Sequence, residues 1–201
     1  MTPMTSFERT LFLDLETYSS ADLVKTGVFK YVEAPDFEIL LMSYAWGDGP
    51  MQMWDFTSDG VPPWLSKALT DQSIRKVAHN CQFERTCLNK YLGVYTPPEQ
   101  WEDTMHMARM NGLPGTLKGA GAALQLDKQK LDTGEALIKY FCKPCKPTKT
   151  NGGRARNLPE HAPEKWEQFK IYCLRDTETE RDIYNRLKDF PLTETEHQIA
   201  C

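Results

Sequence analysis

The sequence predicts a single α/β domain, and three observations carry that expectation. The chain has 201 residues, enough to bury one full core with a long insertion to spare. Strand-like apolar runs fall in the first half, at Thr10–Leu15, Glu38–Trp46 and Arg75–Asn80. Helical periodicity dominates the second half, most extensively from Pro163 to Leu187.

Thr10 to Thr17 (TLFLDLET) is the first strand, an apolar run that breaks into two acids separated by one leucine. Tyr18 to Pro35 reads as a loop with a short helical piece. Glu38 to Trp46 and the alternating Met51 to Phe56 form a hairpin around the turn residues Gly47, Asp48, Gly49 and Pro50. Val61-Pro62-Pro63 opens a short helix to about Thr70, proline being suited to a first turn. Arg75 to Asn80 is a short buried strand, and Phe83 to Leu92 a helix with Phe83, Cys87, Leu88 and Tyr91 as its apolar positions. Trp101 to Thr104 closes the sheet region, and helix resumes near Met105. Gly112 to Gly115 interrupts it, and Thr116 is placed to cap Leu117 to Leu124. In the last helix Pro163 occupies the first turn and Phe190-Pro191 ends the pattern.

The 24 basic and 28 acidic residues give a formal charge of −4, so overall basicity does not point to nucleic acid. A polyanionic partner would have to be held by a local basic patch or through bound cations. Met1 to Thr10 has no signal-peptide core, and the longest strongly apolar run, Ile39 to Met42, is far too short to span a bilayer. The expectation is a soluble protein of the cytoplasm, in a bacterial or infected host cell, with no membrane partner. The six cysteines then read as free thiols. Cys142 and Cys145 have zinc-ligand spacing, and His161 and Cys173 could complete four ligands, but the irregular spacing favours a structural reading. No phosphate-binding Gly-x-x-x-x-Gly-Lys-Ser/Thr loop is present.

In a strand, residues i and i+2 share a face, so Asp14 and Glu16 should project side by side at the strand's end, roughly 6 to 7 Å apart at their bases. Such a pair calls for a cation; the plainer reading is a strand running out into a solvated loop. Tyr172 and Asp176, four apart, share one helix face. Between Ala136 and Pro159 stand Lys139, Lys143, Lys146, Lys149, Arg154 and Arg156 without an acid. This stretch, with its loop at about 142–159, is either a solvated connection or a place for phosphate contacts.

Asp14-x-Glu16, Asn80-x-x-Phe83-Glu84 and Tyr172-x-x-x-Asp176 occur in that order on a strand end, a strand-to-helix junction and a C-terminal helix. In this the chain resembles the DEDD, or DnaQ-like, 3′-5′ exonucleases of the tyrosine subgroup. It looks most like the proofreading domain of family A (polymerase I type) DNA polymerases, especially those of phages. The resemblance runs from about Thr10 to Leu187. It implies an RNase H-like fold, a mixed five-stranded sheet with helices on both faces and the acids meeting at one end.

The resemblance further implies an exonuclease domain over residues 1–190, with 191–201 as the start of a polymerase region in the same or another chain. The implied activity is hydrolysis of terminal phosphodiesters at single-stranded DNA 3′ ends, releasing nucleoside 5′-monophosphates. Two Mg²⁺ or Mn²⁺ ions would be held by Asp14, Glu16, Glu84 and Asp176, oxygen ligands that suit such ions. Asp14 would bridge them, Glu16 and Asp176 would hold the ion that binds the attacking water, and Glu84 would act mainly through water on the other. Tyr172 would orient the nucleophilic water. Asn80, Phe83, Lys143, Lys146, Lys149, Arg154 and Arg156 would contact nucleic acid.

The family usually has aspartate where Glu84 stands, and Asp103 is the substitute acid if Glu84 faces away. Glu178 repeats the Asp-x-Glu spelling after Asp176, but i and i+2 diverge on a helix. The histidine subgroup has His five residues before the last acid, where this chain has Ile171; His79, five before Glu84, lies in the wrong motif. Two rivals share these residues. One is a 3′-5′ exoribonuclease of the RNase D type, and the other a non-catalytic module that grips single-strand ends, for which clustered acids are a poor choice.

Overall fold

A computed structural model of the chain describes residues 9–126, 134–190, 193 and 195–196. The chain forms β1 (Arg9–Tyr18), α1 (Leu23–Val32), β2 (Glu38–Trp46), β3 (Gln52–Asp55), α2 (Phe56–Asp59), α3 (Leu65–Thr70) and β4 (Ile74–Ala78). It continues through α4 (Gln82–Leu92), β5 (Trp101–Asp103), α5 (Thr104–Met110), α6 (Leu117–Ala123), α7 (Gly134–Phe141) and α8 (Pro163–Leu187).

The strands lie in the order β3-β2-β1-β4-β5. β1 pairs antiparallel with β2 and parallel with β4, so the sheet is mixed, as an RNase H-like fold requires. Alternation along β1 sends Leu11, Leu13 and Leu15 to one face, where they meet Tyr31 and Val32 of α1, Leu65 and Leu69 of α3, and Cys87 and Leu88 of α4. The other face is covered by α8. There Leu41 packs with Leu137 and Phe141 of α7 and with Trp166, Phe169 and Cys173 of α8. Helices therefore cover both faces.

Local chemistry moves several boundaries from their sequence-based positions. The stretch after β1 is more helical than expected, because Asp22 accepts hydrogen bonds from the Val24 and Lys25 N–H groups and nucleates α1, which is broken only at Gly27 (φ 76°). The hairpin's second strand ends at Asp55, whose side chain caps Thr57 and turns Phe56 into helix. β4 stops at Ala78, before His79 and Asn80, and Asn80 adopts a left-handed backbone (φ 70°). The first part of the expected basic stretch is α7, since Leu137 and Phe141 are buried against α8, and Lys139 is therefore a helical residue. Thr116 caps α6 by accepting from the Gly119 N–H. The 191–201 segment lies largely outside the described residues. Among the described residues no helix is long and apolar enough to cross a membrane.

Asp55 ties the sheet edge to α8. One carboxylate oxygen caps α2 through the Thr57 N–H at 3.0 Å, and the other accepts from Trp166 Nε1 at 2.8 Å and Lys170 Nζ at 3.1 Å. Asp55→Ala would uncap α2 and leave a buried indole N–H unpaired, a loss of about 2 to 3 kcal/mol. Urea unfolding reads it, and a wild-type midpoint would refute this role.

Candidate active site

The site forms where two strands part. β1 and β4 pair only as far as Phe12 and Val77, whereas β1 runs on to Tyr18 beside β2. Asp14 and Glu16 thus lie inside a strand and not at its end, just past the point where the sheet opens on one side. Both belong to the face toward α8, where Phe12 meets Tyr184 edge-on at 5.3 Å between centroids. A register shift between Glu16 and Thr17 bends β1 immediately afterwards.

Two thiols meet this pair. Cys173 of α8 donates to Asp14 Oδ2 at 3.5 Å, and Cys142 donates to Glu16 Oε2 at 3.6 Å. Ligand atoms of Asp14, Glu16 and Cys173 all lie within 4.8 Å of one another; among the described residues no other set of three or more His, Cys, Asp or Glu side chains converges in this way. The zinc set considered from sequence is not assembled. Cys142 faces Glu16, Cys145 donates to the Arg154 carbonyl at 3.4 Å, and His161 Nδ1 accepts from the Leu158 N–H.

α8 delivers the next acids. Tyr172 and Asp176 are half-buried on one face, and the tyrosine hydroxyl hydrogen-bonds the Asp176 carboxylate. The Tyr172 ring stacks on Phe169, which stacks on Phe141, with interplanar angles of 11° and 17°. Gly134, the first residue of α7, lies so close to that ring that a Cβ there would come within 2.1 Å of Tyr172 Cε2. This packing fixes the tyrosine.

Glu84, in the first turn of α4, is buried and has one oxygen without a hydrogen-bond partner. Asp103 is fully engaged instead. Its Oδ1 accepts from the Asn80 N–H at 2.9 Å and the Met105 N–H at 2.8 Å, and its Oδ2 contacts His106 Nδ1 at 3.2 Å. Of the two candidates for the fourth acid, Glu84 has a free oxygen and Asp103 serves as a backbone clamp. His79 spans Thr104 and the Gly115 carbonyl through its two ring nitrogens and stays a structural link.

Sequence reading missed Glu180, which is 1% exposed one turn beyond Asp176. Its i+4 spacing from Asp176 was the available signal.

The charges are mutually unfavourable. Burial first, and then Asp176, hold the Asp14 carboxyl well above the usual range. Burial, Asp14 and Asp176 raise Glu16 likewise. Glu84 and Glu180 are raised by burial and then by Asp14, and Asp176 by burial. Burial followed by Asp176 lifts the Tyr172 hydroxyl above its ordinary value, so it remains protonated. A buried orphan oxygen on Glu84 and a set of repelling carboxylates fit a divalent cation. Asp14, Glu16, Glu84 and Asp176 are the oxygen donors available to hold it.

The expected nucleic-acid contacts are distributed unevenly. Lys143, Lys146 and Lys149 are exposed. Arg154 bonds Asn157 Oδ1 and the Asn151 carbonyl, bracing its own loop, while Arg156 lies 3.8 Å over the Tyr18 ring and pairs with Glu38 at 2.5 Å. Phe83 is partly buried against the core beside Tyr31, and the Asn80 N–H is taken by Asp103.

An RNase H-like α/β fold carrying a carboxylate cluster at the split of β1 and β4 is the class of protein defined here. No family model matches the chain. The DNA polymerase of Bacillus phage SP02 is 51% identical over 192 residues, covering 95% of this chain and 30% of that protein. The chain therefore spans less than a third of that relative's length. Among solved structures, Trypanosoma brucei RNase D aligns with a TM-score of 0.59 at 17% identity, over 94% of this chain and 62% of that one. Its GMP complex aligns at 0.51 with 20% identity, over 94% and 55%. At these identities the likeness is one of fold.

Raised carboxyl pKa values set the sign of a pH effect. The folded state binds more protons than the unfolded chain, so metal-free stability is greatest below the unfolded carboxyl range and falls as pH rises toward the folded values. Asp14→Asn, which removes the central charge, should raise the melting temperature in chelator at pH 8 by several degrees and much less at pH 5. Thermal unfolding at both values checks it, and equal shifts at the two would contradict it.

Proposed function

We propose that the protein is a divalent-metal-dependent 3′-5′ exonuclease that hydrolyses the terminal phosphodiester of single-stranded DNA and releases nucleoside 5′-monophosphates. The observation that carries this reading is the pairing of Asp14 and Glu16 on β1 at the opening between β1 and β4, with Asp176 of α8, hydrogen-bonded by Tyr172, and Glu84 of α4 close enough for the charges to raise one another's proton affinity. A phosphodiester brings negative charge to a site already rich in it, so the substrate can be accommodated only with cations present. Two divalent ions, held by Asp14, Glu16, Glu84 and Asp176, would supply an acidified water and charge neutralisation at the departing 3′ oxygen.

The chain's own residues supply position. Tyr172, kept protonated by burial and Asp176, is a hydrogen-bond partner for a water and not a proton acceptor. Gly134 and Phe169 hold its ring, so the hydroxyl points with little freedom. The water gives up a proton to solvent as its oxygen forms the new bond to phosphorus, the bond to the 3′ oxygen breaks, and that oxygen takes up a proton from solvent.

DNA is favoured over RNA by the phage DNA polymerase relative, and a polymerase region in the same or another chain is the corresponding partner. A proofreading role in replication follows from that partnership. Lys143, Lys146 and Lys149, free on the surface before α8, are the residues for the phosphates upstream of the scissile bond.

Asp14→Ala and Asp176→Ala should each reduce Mg²⁺-dependent release of mononucleotides from a 3′ end at least 10³-fold while the far-ultraviolet spectrum is kept. Hydrolysis at the wild-type rate by Asp14→Ala would sink the proposal, and faster attack on RNA than on DNA of the same sequence would turn it toward an exoribonuclease. Gly134→Ala should lower kcat with little change in Mn²⁺ affinity, because it moves the Tyr172 ring; an unchanged kcat would remove Tyr172 from the mechanism. Replacing Lys143, Lys146 and Lys149 together by Ala should flatten the salt dependence of single-strand binding by about 2 in log–log slope. An unchanged slope would mark the loop as a mere connection.

A further inference from the structure

Cys173 is a soft ligand in a site of hard ones. It is fully buried on α8, and its sulfur stands 3.5 Å from Asp14 Oδ2 and 3.3 Å from Ser43 Oγ, with one proton to share between them. The Ser43 hydroxyl donates to the Cys173 carbonyl at 2.8 Å, which pins this turn of α8 to β2 and holds the sulfur in place. Ligand atoms of Cys173, Asp14 and Glu16 lie within 4.8 Å of one another. They come from two packed elements, β1 and α8, so the set is assembled by the fold before any ion arrives.

The separations fit a particular kind of ion. Zinc lies about 2.3 Å from a thiolate sulfur and about 2.0 to 2.2 Å from a carboxylate oxygen, so a sulfur and an oxygen on one tetrahedral zinc stand roughly 3.5 Å apart. Cys173 Sγ and Asp14 Oδ2 are separated by that distance, 3.5 Å. The same spacing serves as an S–H···O hydrogen bond when the thiol keeps its proton. Mg²⁺ takes oxygen in near-octahedral geometry and gains little from sulfur, whereas a borderline-soft ion gains a third ligand from this set. Independently, Glu84 is 3% exposed and keeps one buried oxygen without a hydrogen-bond partner, as a side chain does when its partner is not protein. Cys145 and His161, bonded elsewhere, take no part, so this is not the four-ligand set that spacing suggests.

We propose that Cys173, with Asp14 and Glu16, forms a mixed sulfur and oxygen site that takes Zn²⁺ in preference to Mg²⁺ or Mn²⁺. On binding, the S–H bond breaks, the sulfur keeps the electron pair and donates it to the ion, and the proton passes to solvent. The proposal rests on the exonuclease reading above for its consequence, which is that Cys173 sets which ions the acids accept.

The test adds Co²⁺ to the full chain and follows the near-ultraviolet absorption that a thiolate bound to Co²⁺ produces, with Zn²⁺ and Mn²⁺ affinities measured by calorimetry. Wild type, Cys173→Ser, Cys173→Ala and Cys142→Ser are compared, each with its far-ultraviolet spectrum as a check of folding. Wild type and Cys142→Ser should give the band, and Zn²⁺ should abolish it. Both Cys173 variants should lack it. Cys173→Ser, which keeps a hydroxyl donor for Asp14, should bind Zn²⁺ at least about 10-fold more weakly while its Mn²⁺ affinity changes far less. A band that survives in folded Cys173→Ser, or an equal loss for both ions, would overturn the assignment and leave Cys173 a donor to Asp14. Mg²⁺-dependent hydrolysis by wild type separates the two levels. A band without hydrolysis of DNA would sink the exonuclease reading and leave the site; hydrolysis without a band would sink the site and leave the reading.

Discussion

Repulsion among buried and half-buried carboxylates is the constraint around which the rest of the structure is arranged. Asp14, Glu16, Glu84, Asp176 and Glu180 come from β1, α4 and α8, and each has its proton affinity raised by burial or by its neighbours. Nothing in their own chemistry holds them together, so the scaffold must. It does so with apolar packing on both sheet faces and with backbone N–H groups donated to Glu180 and Asp103. The two thiols at Asp14 and Glu16 add only weak donors, where a lysine or arginine would have satisfied the acids with full positive charge.

That arrangement explains why the neighbourhood is so closely packed. α8 carries Tyr172, Asp176 and Glu180 on one face and has Phe169 and Cys173 buried against the sheet, so the position of these three side chains is set by one helix. Ser43 of β2 bonds both the Cys173 carbonyl and Thr177 Oγ1, locking that helix to the strand beside β1. Gly134 leaves room for the Tyr172 ring where any side chain would displace it. Rigidity of this kind is what a site built from like charges requires, since a loose one would relax by turning its acids outward.

The sequence made the sheet and the first acids legible for a simple reason: period-two alternation is local, and Asp14 and Glu16 share a strand face by that rule alone. Tyr172 and Asp176 were visible through their i, i+4 spacing. Glu180 obeys the same rule, but its burial depends on how α8 packs, which the spacing alone does not show. The roles of Asp103 and Glu84 could not be separated in one dimension, since only the folded turn shows Asn80 in a left-handed conformation with its N–H aimed at Asp103. The irregular spacing of Cys142, Cys145, His161 and Cys173 already favours a structural reading over zinc, but only the fold shows that Cys142 and Cys173 are donors to two separate carboxylates. Arg154 and Arg156 counted as free charge in the sequence, and their partners Asn157 and Glu38 become neighbours only through tertiary contacts.

The central claim is that the carboxylate cluster is completed by divalent cations. Anomalous diffraction from a crystal of the wild-type chain soaked in Mn²⁺ tests it most directly. The account predicts anomalous peaks between Asp14 and the acids around it, one toward Glu16 and Asp176 and one toward Glu84. A crystal saturated with Mn²⁺ at neutral pH that shows no anomalous peak within bonding distance of Asp14 would contradict it.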